Sequence, residues 1–289
     1  MRITNKMMTN TIKRNVFRQS EQLLRNQEIL SSGKRINRPS DDPVGTVKIL
    51  DYRKTLASLQ QYDRNIQKAQ NRIEVMETVL EGVEELIGEA KNWAVNQAAS
   101  STMEREAAVS NVQRIKDHLL QLANSRMGNQ YIFAGFQTDN AAFDASGNYL
   151  GDNGYFSTLT SDNAEMRIEA NGQRIFQGTE DVFDALDDLL TGLQTDDVVL
   201  IDAQIDRLQS AQAQVQQVRA EGGAQHQQLE MTANQMARFK LNVEDLLERE
   251  ENADLEEAII NLQNQEMAYE IALNTSARII QPTLMNFLR

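Results

Sequence analysis

Cysteine is absent from this chain of 289 residues, which excludes disulfides, thiolate metal sites, iron–sulfur clusters and a cysteine nucleophile. Proline occurs only 3 times, and aromatic residues make up 6% of the sequence. So few turn-makers and large rings argue against layered α/β structure and for long helices. Positive charge is also scarce. The net charge is −13, which argues against a nucleic-acid binder. No apolar run approaches the roughly 18–20 residues that span a bilayer, so membrane insertion is not expected. The opening Met1-Arg2-Ile3-Thr4-Asn5-Lys6 has charge but no apolar stretch after it, so no cleaved signal peptide is expected either.

The charge is unevenly spread. Residues 1–40 carry Arg2, Lys6, Lys13, Arg14, Arg18, Arg25, Lys34, Arg35 and Arg38 against Glu21 and Glu28. The stretch 139–202 holds fourteen acidic residues against Arg167 and Arg174. This is the pattern of a basic helix beside a solvated acidic module.

What is present is helical periodicity. Ile66, Ala69, Ile73, Met76, Leu80, Val83, Ile87, Ala90 and Ala94 follow an unbroken alternation of threes and fours, the signature of a helix with one apolar seam. The phase breaks at Ser100-Ser101-Thr102. Ser101 with Glu104 reads as a capping box opening a helix through Ala108, Val112, Ile115, Leu119 and Leu122, with Gly128-Asn129 as its C-cap. Leu208, Ala211, Val215, Val218, Leu229, Met236, Phe239, Val243 and Leu246 form a second long seam. Near the beginning, Ile12, Val16, Leu23 and Leu30 lie on one side of a helix that ends at Ser31-Ser32-Gly33. Asp42 then caps a helix with Pro43 in its first position. Asp254 caps a final helix whose apolar stripe is Leu255, Ile259, Leu262, Tyr269, Leu273, Ile280 and Leu284.

Only the centre has β character. Tyr131-Ile132-Phe133 is a short β-prone run. Met166, Ile168 and Ala170 alternate with Arg167 and Glu169, and Asn171-Gly172 is a strong hairpin signal. Thr179 to Leu190 returns to helix, with Glu180, Asp181 and Asp184 suited to its N-terminus. Seams this narrow cannot be buried alone. The expected fold is mainly α: an elongated antiparallel helical bundle or coiled coil of the N- and C-terminal halves, with a small β-containing central insert. The expected divisions are 1–42 (assembly helix and connector), 43–128 and 201–253 (helical core), 129–200 (insert) and 254–289 (C-terminal assembly helix).

No catalytic constellation emerges. His118 and His226 lack ligand partners at metal-binding spacing and read as ordinary helix residues. Asp41-Asp42, Asp187-Asp188 and Asp196-Asp197 are adjacent pairs, which do not converge on one point. Gly151-Asp152-Asn153-Gly154 follows no strand and reads as a turn, not a phosphate loop. Trp93 reads as packing near a seam. Neither metal nor cofactor is expected, nor is the chain expected to be an enzyme.

The stretch Leu30-Ser31-Ser32-Gly33-Lys34-Arg35-Ile36-Asn37-Arg38-Pro39-Ser40-Asp41-Asp42-Pro43-Val44-Gly45 resembles the connector of the bacterial flagellin family. Gly33, Arg35, Ile36, Asn37, Asp41, Asp42 and Gly45 match that family's pattern; Pro39 and Pro43 depart from its usual residues. The end of the chain, from Asp254-Leu255 to Phe287-Leu288-Arg289, is similar to the family's final helix. Met1-Arg2-Ile3-Thr4, the Asp42-Pro43 pair and Gly128-Asn129-Gln130-Tyr131-Ile132-Phe133-Ala134-Gly135 are more similar to members that join hook and filament than to those that build the filament. The resemblance implies a structural subunit, exported through the flagellar type III apparatus and located outside the cell. Its implied partners are further copies of itself, a hook-side junction protein, flagellin, and an export chaperone at the C-terminal helix. A filament flagellin is the alternative within the family. An intracellular coiled-coil scaffold would share the heptads but not the connector or the insert.

Overall fold

The computed structural model describes residues 5–99, 105–168 and 171–285, with side chains from 6 to 277 among them. Contacts divide the chain into two compact units: 1–58 with 238–289, and 59–237. Helix α1 (Asn5–Ser32) and helix α7 (Leu255–Met285) belong to the first. Helices α2 (Pro43–Ala99) and α6 (Val198–Glu251) contribute residues to both.

The second unit is built on the α2 seam. All nine residues from Ile66 to Ala94 named above are buried, and they join Leu208, Ala211, Val215, Val218 and Leu229 of α6 in one core. The two helices run antiparallel, since positions rising along α2 meet positions falling along α6. Glu74 lies 3.5 Å from His226, Glu77 lies 2.7 Å from Arg219, and Glu84 pairs with Arg219 and Gln216. The sparing of side chain at Gly222 lets Met76 approach: a Cβ there would sit 3.3 Å from its methyl group.

Helix α3 (Arg105–Ala123) buries Ala108, Val112, Ile115 and Leu119 as the spacing predicts. Its last seam position is Ala123, however, with Leu122 only half-buried. The expected capping box of Ser101 and Glu104 lies outside the described residues. Helix α5 (Val182–Thr195) packs on α3 and starts three residues later than the sequence suggests. Asp181 is its N-cap, accepting the N–H groups of Phe183 (2.9 Å) and Asp184 (3.1 Å). Burial raises the Asp181 carboxyl above the ordinary carboxylate value, and these hydrogen bonds oppose the shift.

Two glycine signals mean something other than the sequence suggests. Gly128-Asn129 is not a helix C-cap: α3 ends at Ala123, and these residues turn between strands β1 (Arg126–Met127) and β2 (Gln130–Tyr131). Gly128 has φ +65. Asn171-Gly172 is not a hairpin turn either. Asn171 is the N-cap of the short helix α4 (Gly172–Phe176), its side chain accepting the Gln173 N–H. Gly172 is required because a Cβ would fall 2.9 Å from both the Phe133 carbonyl and the Phe143 ring. The hairpin actually formed pairs β3 (Phe156–Ser161) with β4 (Ala164–Ile168), Phe156 opposite Ile168, around Asp162-Asn163. Asparagine serves both turns and caps, so local composition does not separate the two.

The scarce aromatics gather here. Phe143 lies 5.2 Å from Phe176 and 5.4 Å from Phe183, with Phe133 5.8 Å from Phe176. Tyr149 closes the cluster, its hydroxyl shared between the carbonyls of Phe133 and Asp152, and burial pushes its pKa up to about 12. Arg72 of α2, almost fully buried, donates to the Ile132 carbonyl at 3.1 Å and stacks over Phe156. Phe176→Ala should destabilise the second unit by about 3–5 kcal/mol, the range for truncating a buried aromatic. Chemical denaturation followed by near-ultraviolet circular dichroism checks this, and a loss below about 1 kcal/mol would show that the cluster is not the insert's core.

Candidate interaction site: the connector and the terminal helices

Helix α1 stops because Gly33 takes φ +70, a conformation costly for side chains with a Cβ. The chain then runs against the end of α6. Ala253 N–H donates to the Gly33 carbonyl at 2.9 Å, Arg35 N–H donates to the Glu251 carbonyl at 2.8 Å, and Lys34 bridges Asn252 antiparallel. Ile36 tucks its side chain under the first turn of α2 and is buried. Gly45 makes room for it: a Cβ there would lie 2.6 Å from both Ile36 Cδ1 and Asp42 Oδ2.

The polar residues of the connector organise its backbone. Asn37 donates its amide to the Lys34 carbonyl at 3.0 Å. Asp41 Oδ2 accepts the N–H groups of Asn37 (3.2 Å) and Arg38 (2.9 Å), and Oδ1 pairs with Arg25 at 3.0 Å. Asp42 Oδ1 caps α2 through Val44 N–H (3.2 Å) and Gly45 N–H (2.9 Å). The Gly45 hydrogen bond, helped by the neighbouring Arg35, holds the Asp42 carboxyl below its usual range. The structure therefore brings Gly33, Arg35, Ile36, Asn37, Asp41, Asp42 and Gly45 together in one small fold. Sequence reasoning missed the other half of the joint, Glu250 to Ala253. Arg35 also donates to the Glu250 carbonyl at 2.8 Å, and Lys48 pairs with Glu250 at 3.3 Å. The only local hint was the polar run that ends at Asp254.

Asp254 caps α7 as expected, accepting from Glu256 N–H (3.0 Å) and Glu257 N–H (3.2 Å). Helix α7 lies antiparallel on α1. Gln265 donates to the Gln19 carbonyl at 3.2 Å and also meets the Gln19 side chain, while Tyr269 and Ser276 line a cleft with Ile12 and Val16. The expected stripe is split by this pairing. Leu262 and Tyr269 are half-buried on the side facing α1; Leu255, Ile259 and Leu273 remain exposed. The side chains of Ile280 and Leu284 lie outside the described residues. Helix α7 carries a second apolar row as well: Ile260, Met267 and Ile271, each about 60% exposed, lie by helical spacing opposite Gln265 and Tyr269. On α1, Phe17 and Leu24 are exposed likewise. In α6, Phe239 and Leu246 depart from the expected seam and are exposed, while Val243 is buried.

The other candidate groups point apart. Asp187 pairs with Lys116 at 2.5 Å and Asp188 with Arg207 at 2.7 Å. Asp196 has φ +60 at the end of α5, and Asp197 caps α6 through Val199 N–H and Leu200 N–H. Among the described residues, no group of three or more acidic or histidine side chains is placed to hold a metal ion, and no helix is long and apolar enough to cross a membrane.

Two outcomes test the joint. Because the Asp42 pKa is lowered from 3.8 in the folded chain, its charge contributes stability that is complete above that ordinary value and is lost as pH falls through the folded one. Asp42→Asn keeps a capping side chain without the charge. It should melt below the parent at neutral pH, with the gap closing in acid; a gap unchanged into strong acid would rule out the charge. A Cβ placed on Gly33 would meet no atom within 4 Å, so only backbone strain opposes substitution. Gly33→Ala should cost about 1 kcal/mol and Gly33→Asn less, as read by hydrogen exchange in the last turn of α1.

Residues 3–138 match the family described as the bacterial flagellin N-terminal helical region. Over 181 residues the chain is 32% identical to flagellar hook-associated protein 3 of Salmonella typhimurium, a match covering 61% of this chain and 57% of that protein. The chain thus spans little more than half the length of that curated relative. In fold it resembles FlgL of Bacillus cereus (TM-score 0.62, 19% identity, 68% of this chain and 99% of that one). It also resembles the flagellar junction protein FlgL of Legionella pneumophila (TM-score 0.59, 13% identity, 71% of this chain and 100% of that one).

Proposed function

We propose that this chain, which is similar to the bacterial flagellin family over residues 3–138 and to flagellar hook-associated protein 3, is a structural subunit of the flagellum, assembled at the junction between hook and filament. The observation that carries the reading is the paired terminal helices, joined by a built connector and apolar on sides that the partner helix leaves open. Rows of large exposed side chains mark surfaces that association covers. Further copies of this chain, a hook-side junction protein and flagellin are the partners that would cover them. The subunit works outside the cell, reached through the flagellar export apparatus, and its task is mechanical, not catalytic.

Before assembly those rows need protection. An export chaperone would take the α7 stripe in a helix groove, gripping Leu255, Ile259 and Leu273, which are open even with α1 in place, and Leu262 and Tyr269 once α1 yields. Leu262→Asp with Leu273→Asp should abolish capture of the monomer, because two charges would enter an apolar groove unpaired. Unchanged affinity by calorimetry would refute this site.

A filament flagellin is the second reading, favoured by the breadth of the family match, which concerns a helical region common to flagellins. Immunogold labelling of isolated flagella separates the two. A single band between hook and filament is expected; label along the whole filament would mean flagellin, and none at all would overturn both. Deleting 1–42 and 255–289 should abolish assembly and leave a soluble helical protein, since the second unit has its own core. Cooperative loss of the remaining helix by circular dichroism would contradict that.

A further inference from the structure

Among the described residues, Glu251 is the only acidic side chain that is buried. A single oxygen of it, Oε1, meets Lys34 Nζ at 2.5 Å and Arg53 Nη2 at 2.7 Å. Its backbone carbonyl takes the Arg35 N–H, and the adjoining residues Asn252 and Ala253 pair with Lys34 and Gly33. Three segments therefore meet at one residue: the connector that follows α1, the first part of α2, and the end of α6 from which α7 departs.

The burial of the three charges is unequal. The side chains of Lys34 and Arg53 are 42% and 51% exposed, whereas that of Glu251 is 8% exposed. If the joint loosens, both cations can turn into water at once. The carboxylate cannot be rehydrated until the end of α6 and the connector separate, and a buried charge that loses its partners is strongly unfavourable. The neighbouring Glu250 differs, since it pairs with Arg35 and Lys48 nearer the surface. The attachment points of α1 and α7, Gly33 and Ala253, are hydrogen-bonded directly to each other across this bridge. Neither helix can swing away from the joint without breaking it for the other.

We propose that Glu251 is an electrostatic latch that holds the connector closed on the end of α6, so that the two terminal helices are released and secured together as one unit. Hydrogen exchange by mass spectrometry on the full chain tests it, comparing the parent with Glu251→Gln and Glu250→Gln. In Glu251→Gln, exchange across α1 and α7 should accelerate together by about tenfold or more. Exchange in α3 and α5 should be unchanged, and Glu250→Gln should have a much smaller effect. The double variant Lys34→Gln with Arg53→Gln reaches the same opening from the cationic side and serves if Glu251→Gln is insoluble. Unchanged protection of α1 and α7 in these variants would overturn the latch. So would acceleration in one helix without the other, an equal effect of Glu250→Gln, or loss of protection reaching α3 and α5.

Discussion

An apolar seam as narrow as the one along α2, from Ile66 to Ala94, leaves most of the helix circumference polar and yet must be removed from water. One helix cannot do this, and two do it only along a line. In the second unit the line is widened to a core by α6, by α3, and by α5 laid on α3. The antiparallel run of α6 against α2 follows from that need, and the ion pairs of Arg219 with Glu77 and Glu84 fix its register at the margin. Such exposed or half-exposed pairs add little stability individually. Their value is in choosing one alignment among the several that a regular seam would accept.

The parts of the fold that could be read from sequence are those encoded locally. Every position that heptad spacing named on α2 from Ile66 to Ala94 is buried, and the capping rules found Asp42 and Asp254 because a cap and its N–H partners are two or three residues apart. What escaped was set at a distance. Nothing near Asn171-Gly172 says that the Phe133 carbonyl will press against Gly172, so a cap reads as a turn. Phe239 and Leu246 keep helical spacing, yet both stay exposed against the described residues.

The connector was legible as a motif and illegible as a structure. Its glycine, its capping aspartate and its small residue at position 45 announce a stop, a start and a close approach. They do not announce that the approach is to Ile36, or that the connector's backbone lies against residues 250–253, more than two hundred positions away in the chain. Of the three adjacent aspartate pairs in the sequence, Asp41, Asp42 and Asp197 are committed to backbone N–H groups, while Asp187 and Asp188 form ion pairs with Lys116 and Arg207.

The pairing of Gly33 with Ala253 and of Arg35 with Glu251 has a mechanical meaning. A chain pulled along α1 would ordinarily pass its load through the connector to α2 alone. Here the same pull is divided where the connector leaves α1, one path continuing to the capped start of α2 and the other crossing the backbone bridge into the end of α6. Tension on α7 divides in the same way, through α6 and back across the bridge. A load applied to either end is thus carried by two long helices in parallel, and the joint behaves as a yoke instead of a hinge.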